Sequence, residues 1–271
     1  MGARQMLDAA STGELSAFYV VGEDPMASYP DRAQVKAALE KVEFLVVQDI
    51  FMTATAQEAD VVLPATSFAE KEGTFTNAER RIQRVRQGLK SPGEAKTDQA
   101  IFTMLANRMG DQVTYTGPEA VFAEIKDTVP EYGQIEYNAI GPQGSVWGGD
   151  MLAPRHKKLV AVGGAKPVSG KMQMVTGSAL YHSGTLSTRS KGPLAAMPEA
   201  YVEFGREDAV EFGINEGETV TLRGNGEELK LKAKVGSRLP KGLVFVPYHF
   251  ASAGVNRLYK GESTVAVEVL K

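Results

Sequence analysis

Residues 44–86 read FLVVQDIFMTATAQEADVVLPATSFAEKEGTFTNAERRIQRVR. Two apolar runs within them, FLVV and ADVVLP, have the length and β-branched character of buried strands. Polar residues follow each run: Gln48, Asp49, Thr53 and Thr55 after the first, then Glu70, Thr74, Asn77 and Arg80 after the second. Open α/β sheets bind ligands in the crevice beyond the carboxyl ends of their strands. So many hydrogen-bonding side chains at that edge point to a polar, multiply charged ligand rather than a lipid.

Outward from this stretch the rhythm is strand–helix–strand. Met6, Leu7, Ala9 and Ala10 predict a helix within 5–20 that leads into a strand over Leu15–Val21, which Gly22-Glu23-Asp24-Pro25 breaks. Val35, Ala38 and Leu39 predict a helix over 31–41, and Glu43–Gln48 is the next strand. Thr53 can cap a short helix through Glu58, ahead of a strand at Val61–Leu63. This order argues for βαβ units, a parallel sheet and right-handed crossovers. Thr97 or Asp98 can cap a helix that reaches Met109 and stops at Gly110, and Pro118 opens another that runs to about Thr128.

The texture then changes twice. Residues 133–170 hold eight glycines and three prolines and read as a connector. From Met172 the chain reads as all-β: KMQMVTG, YVEFG, ETVTLRG, ELKLKAKV, GLVFVPYHF and STVAVEVL, with turns such as Arg223-Gly224-Asn225-Gly226 and a short helix near Glu207–Ile214. Short strands with turn signals at this spacing predict a small barrel.

Composition narrows the chemistry. The chain has 271 residues and no cysteine, which excludes disulfides, thiolate nucleophiles, zinc–thiolate sites and cysteine-ligated iron–sulfur clusters within it. Its three histidines, His156, His182 and His249, are far apart in sequence, so a histidine-rich metal site is not expected and no metal ligand is assigned. No apolar run reaches the roughly 20 residues of a membrane span, and no signal peptide is recognisable; the expected location is the cytoplasm, without direct membrane insertion. A net charge of −3 hides an asymmetry: residues 1–150 carry 13 Lys and Arg against 22 Asp and Glu, and residues 151–271 carry 17 against 11. A basic second half can hold phosphates or dock on the acidic first half. Nucleic acid is not an expected partner.

Several motifs gather here. Gly22 follows a strand, where its freedom lets a ligand approach the backbone. Ser183, Gly184, Thr185, Ser187 and Arg189 lie in Tyr181-His182-Ser183-Gly184-Thr185-Leu186-Ser187-Thr188-Arg189, whose hydroxyls, amides and guanidinium suit a phosphate or pterin. Pro247-Tyr248-His249-Phe250 precedes Val255-Asn256-Arg257-Leu258. Each has a plainer reading: Thr53 as a helix cap, the charge-dense run Ala69–Arg81 as a solvated or internally paired loop, His249 as a satisfied structural histidine. Glu70 and Glu72 have no evident nucleophile or base partner, so no catalytic residue is assigned.

Together these motifs resemble the molybdopterin oxidoreductases, most closely the formate dehydrogenase alpha subunit and the G subunit of NADH-quinone oxidoreductase. The resemblance runs over more than forty residues in Phe44–Arg86 and continues through His182–Arg189 and His249–Asn256. It implies a Rossmann-like α/β domain with a partial parallel sheet at 1–130, a Gly/Pro-rich connector at 131–165, and a six-stranded double-psi β-barrel at 166–271. It also implies a molybdopterin guanine dinucleotide cofactor, with Gly22, Gln48, Asp49, Thr53, Thr55, Glu70, Asn77, Arg80, Ser183, Gly184, Thr185, Ser187, Arg189, His249 and Asn256 as cofactor-binding residues. The family's catalytic Cys or selenocysteine and its iron–sulfur ligands would lie upstream of the matched region. The expected partners are therefore other subunits, or the upstream part, of an oxidoreductase complex. Two departures stand out: Ala54 replaces a usual glutamate, and Gln99 a usual tryptophan. They favour a scaffold like the G subunit, in which the cofactor can be lost, over a formate dehydrogenase.

Overall fold

A computed structural model of the chain describes residues 1–148, 172–261 and 264–271. His156 and the connector from residue 149 onward fall outside the described residues. By its contacts the chain divides into two units. One comprises Met1–Phe18, Glu23–Leu45 and the described residues from 172 onward; the other comprises Tyr19–Gly22 and residues 46–148.

The elements before the connector are α1 (Ala3–Thr12), β1 (Ala17–Val21), α2 (Pro25–Ser28), α3 (Arg32–Lys41), β2 (Phe44–Asp49), β3 (Val61–Pro64), β4 (Gly73–Thr76), β5 (Arg81–Val85), α4 (Asp98–Arg108), α5 (Pro118–Thr128) and β6 (Ser145–Val146). After it come β7 (Met172–Gly177), α6 (Lys191–Ala196), β8 (Tyr201–Gly205), α7 (Arg206–Phe212), β9 (Thr219–Gly224), β10 (Glu227–Gly236), β11 (Leu243–Pro247) and β12 (Val265–Leu270).

In the first unit, β7–β12 close a six-stranded barrel in the order β10-β8-β11-β7-β12-β9. Two pairs are parallel, β8 with β10 and β7 with β11. The other four are antiparallel. The barrel forms because its strands alternate. In β10 the residues Leu229, Leu231 and Ala233 point inward while Lys230, Lys232 and Lys234 stay outside. Inward residues of all six strands, among them Met174, Phe204, Leu222 and Val246, make one core. Asn225 and Gly226, at φ +49° and +85°, join β9 to β10 through a turn that requires both residues in the left-handed region.

The same unit holds α1 packed against α3, with Leu7, Ala9 and Ala10 facing Val35, Ala38 and Leu39 on the buried sides. Asp31 begins α3 at φ +57°, its carboxylate accepting from the Gln34 amide. Barrel residues hold it there: its amide donates to the Asn256 and Tyr259 carbonyls, and its carboxylate pairs with Lys260.

In the second unit the sheet order is β1-β2-β3, and β2 pairs with β3 in parallel from Val46↔Val61 to Asp49↔Pro64. The predicted helix at 53–58 is only a short 3-10 turn, Ala56–Glu58. The run Ala69–Arg81, expected as a loop, is instead built around a hairpin: β4 pairs antiparallel with β5, and β6 adds to β5. Asn77 makes the turn. Its side-chain oxygen accepts from the Glu79 and Arg81 amides, and Arg80 takes φ +62°. Ile82 anchors the hairpin in a core with Phe122, Ile135, Tyr137 and Ile140. At Gly144, φ is +69° and an added Cβ would lie 2.5 Å from the Ile82 carbonyl oxygen, so only glycine fits beside β5.

Candidate cofactor site

At the carboxyl end of the small sheet, the predicted ligand residues are largely engaged with their own chain. Gln48, next to last in β2, has no exposure; its side-chain oxygen accepts from Tyr19 Oη and its amide donates to Asp98 Oδ1 at 2.7 Å. Asp98, which opens α4, also pairs with Lys71. Burial, and then the Asp98 charge, raise the Tyr19 phenol above its ordinary value, so it remains a hydrogen-bond donor. Tyr19–Gln48–Asp98–Lys71 is thus a continuous polar chain across this edge, in which Asp98 and Lys71 were not foreseen as members. Asp49 accepts from the Phe51 amide, and Thr53 from the Ala56 amide at 3.1 Å. Thr53 thus caps a turn rather than a helix, ahead of the 3-10 turn at Ala56–Glu58. Thr55 is fully buried.

Gly22 has φ +63°, donates its amide to the Gln48 carbonyl, and has open space where a Cβ would stand. Glu70 closes a capping box on Ser67, accepting from its amide at 2.9 Å. Asn77 is occupied in the hairpin turn, and Arg80 projects from that turn half-buried. A shallow apolar hollow of about 380 Å³ lies along α4 and α5, lined by Phe102, Ala106, Val113 and Val121, but none of the expected ligand residues lines it.

In the barrel unit the arrangement differs. Ser183 and Thr185 are exposed, and no atom lies within 4 Å of the position a Cβ would take on Gly184. Thr185–Arg189 form a short 3-10 turn, and Ser187 closes it by donating to the Gly184 carbonyl at 2.6 Å. Beneath it sits His182, 1% exposed, with Nε2 at 2.8 Å from the Met197 carbonyl and Nδ1 at 3.0 Å from Ser187 Oγ. Its ring lies 5.2 Å from that of His249 and 4.9 Å from that of Phe250.

His249 is fully buried, yet neither ring nitrogen has a hydrogen-bond partner among the described residues. The satisfied structural histidine of the plainer reading is not what is found. Burial, helped by His182, lowers its proton affinity and keeps it neutral, with one donor and one acceptor free. Asn256 is committed elsewhere: its amide donates to the Met26 carbonyl at 2.9 Å and the Tyr29 carbonyl at 2.7 Å.

Sequence reasoning did not single out His182. Its hydroxyl-rich surroundings were visible, but its contact with Met197, fifteen residues on, was not. Among the described residues no cluster of three or more His, Asp or Glu side chains could hold a metal ion, and no helix is long and apolar enough to cross a membrane.

Comparison with known proteins gives this geometry a context. Residues 2–108 match the family model Molybdopterin oxidoreductase, and residues 172–267, which span the barrel, match Molydopterin dinucleotide binding domain. The F420-dependent formate dehydrogenase 1 subunit alpha of Methanococcus maripaludis is 38% identical over 92% of this chain and 41% of its own length. A G subunit of NADH-quinone oxidoreductase from Rhizobium meliloti, the one designated G 2, is 34% identical over 97% of this chain and 31% of its own. The chain spans about two fifths of the length of the first curated relatives it matches. Acetylene Hydratase from Pelobacter acetylenicus shares the fold, with a TM-score of 0.74 at 16% identity over 98% of this chain and 46% of that one. With both family domains present, and with formate dehydrogenase alpha subunits and a G subunit of NADH-quinone oxidoreductase among its homologues, the chain belongs to the molybdopterin oxidoreductase family.

Proposed function

We propose that this chain is the portion of a molybdopterin oxidoreductase that holds the dinucleotide part of a molybdopterin guanine dinucleotide. The supporting observation is His249: a fully buried imidazole whose two nitrogens have no partner among the described residues, inside the segment that matches the dinucleotide-binding model. Leaving such groups unpaired costs about 1–3 kcal/mol, and a nucleobase edge or sugar hydroxyl would satisfy both. The open space at Gly184 and the exposed Ser183 and Thr185 suit close approach by a phosphate. The residues present therefore fit the group.

When bound, the cofactor would supply the redox-active metal. The residues that bind and orient it are taken from the barrel unit: His249, Ser183, Thr185 and Arg189. Ser187 and Asn256 fix the backbone of the barrel unit, and Gln48, Thr53, Glu70 and Asn77 fix that of the other unit. The two parallel pairs in an otherwise antiparallel ring support the double-psi form of the barrel, and the parallel β2–β3 pair supports a Rossmann-like sheet.

On this reading the chain works within a formate-dehydrogenase-type oxidoreductase, alongside other subunits or the remaining length of such a subunit. Its place is the cytoplasm, or the membrane periphery through a complex. A second reading, a scaffold like the G subunit that no longer holds the cofactor, is favoured by Ala54 and by the side chains already committed to the fold. The experiment is His249→Phe in the assembled complex. Its guanine dinucleotide content should fall well below wild type with the far-UV spectrum unchanged; equal content would remove His249 from the site.

A further inference from the structure

The small sheet of the second unit is largely apolar on both faces, yet only one of them is buried. The register Val46↔Val61 and Gln48↔Leu63 sets these four residues on one face of β2 and β3. Tyr19 of β1 shares that face, because its Oη reaches Gln48, and Val21, two residues on, lies there as well. Val20 and Val47 point to the opposite face and are buried, at 6% and 0% exposure. On the first face Tyr19, Val21 and Val61 keep 39%, 40% and 37% of their surface in solvent.

That exposure is at odds with the pairing. Parallel strands read as continuous apolar runs because helices cover both of their faces. Here α4 covers the first face only at the carboxyl end of the strands: Asp98 receives the Gln48 amide, and Phe102 meets the Tyr19 ring edge-on at 6.2 Å. Phe102 is itself 44% exposed, and it also lines the hollow along α4 and α5. A bare strip thus crosses the strands from Val61 to Tyr19 and continues through Phe102 into that hollow. Contiguous apolar surface of this kind marks a docking site.

We propose that this strip seats an amphipathic helix with basic margins, supplied by a part of the oxidoreductase that this chain does not span. Parallel sheets take helices on their faces, and α4 already occupies the neighbouring position, so a second helix packs beside it at an interaxial spacing of about 8–10 Å. The surroundings are acidic. Glu58 and Asp60, both exposed, stand just before Val61, and residues 46–148 carry 14 Asp and Glu against 9 Lys and Arg. A second copy of this chain would bring the same acidic rim to the contact, whereas Lys and Arg at the margins of a helix complement it. The polypeptide to supply it is at hand in the family, since more than half the length of the curated relatives lies beyond the part this chain matches. The seat requires only the sheet and the family membership, whether or not the chain holds a cofactor.

The test uses the complex purified with its natural partners. A photoreactive p-benzoylphenylalanine is placed at Val61, and at Lys230 on the exposed outer side of β10 as the control. Illumination should join position 61, and not position 230, to one segment outside these 271 residues. That segment should carry apolar residues at i, i+3 or i+4, and i+7, with Lys or Arg beside them. Adducts to a second copy of the chain, adducts to a segment without that pattern, or no more adduct than at position 230 overturn the proposal.

Val61→Lys gives a second readout. It buries an ammonium beneath the helix and against its basic margins, and such an uncompensated charge should cut recovery of the assembled complex by about tenfold or more. In the isolated chain the side chain at 61 is open to solvent, so the urea midpoint should stay at the wild-type value, which separates lost docking from lost folding. Unchanged recovery of the Lys variant would also overturn the helix; should its midpoint fall instead, the cross-link at position 61 decides alone.

Discussion

Asn256 offers the sharpest separation between holding the fold and holding a ligand. Its side-chain amide donates to the Met26 and Tyr29 carbonyls, and its backbone carbonyl, which substitution leaves in place, receives the Asp31 amide at 3.1 Å. These bonds tie the turn between α2 and α3 to the barrel within one unit. Each neutral hydrogen bond contributes about 1 kcal/mol net. Met26 is 2% exposed, so water cannot readily serve its carbonyl once the amide is gone. Asn256→Ala should therefore destabilise this unit by about 2 kcal/mol. Asn256→Asp, nearly the same shape, sets a carboxylate against two carbonyl oxygens and should lose more. Urea titration followed by far-UV circular dichroism measures both, as a lower midpoint at unchanged slope. An Ala variant within about 0.5 kcal/mol of wild type, or an Asp variant as stable as wild type, would refute the reasoning and return Asn256 to the cofactor.

Other expectations follow from the same geometry. Burial lowers the proton affinity of His249, so below about pH 6.5 the unfolded chain binds more protons than the folded one, and stability falls as the pH drops through that range. His249→Phe should flatten this acid-side slope in denaturation midpoints; an unchanged slope would mean that the ring is solvated. Gln48→Leu removes the shared partner of Tyr19 and Asp98 and should destabilise its unit by about 1–3 kcal/mol. The tryptophan fluorescence of Trp147, the sole tryptophan and stacked on Tyr132 in that same unit, reports the loss. Gly144→Ala combines a left-handed backbone with a 2.5 Å approach to the Ile82 carbonyl, and should lower stability by about 2 kcal/mol or more by the same fluorescence. An Ala variant of unchanged midpoint would show that β5 and Gly144 separate freely.

The fold was legible wherever one periodicity ruled. Alternation in β10, the Asn225-Gly226 turn and the apolar runs at Val46–Val47 and Val61–Leu63 each declare their partners through short-range sterics. The hairpin at β4–β5 was not legible, because charge density hid it. Arg84 looks like a solvated charge in sequence, yet it lies over the Tyr137 ring at 4.2 Å while pairing with Glu72. The site was legible as a neighbourhood rather than as a set of contacts. Residue type alone does not tell a threonine that caps a turn, as Thr53 does, from one that faces a ligand. Nor does it show that, among the described residues, His249 has no partner while His182 has two.

The central claim is that this chain holds a molybdopterin guanine dinucleotide. It is tested most directly by measuring molybdenum and guanine-linked pterin in the catalytically active complex purified with its natural partners. Near-stoichiometric molybdenum and pterin are predicted; their absence from an active complex would contradict the claim and leave the chain as a scaffold.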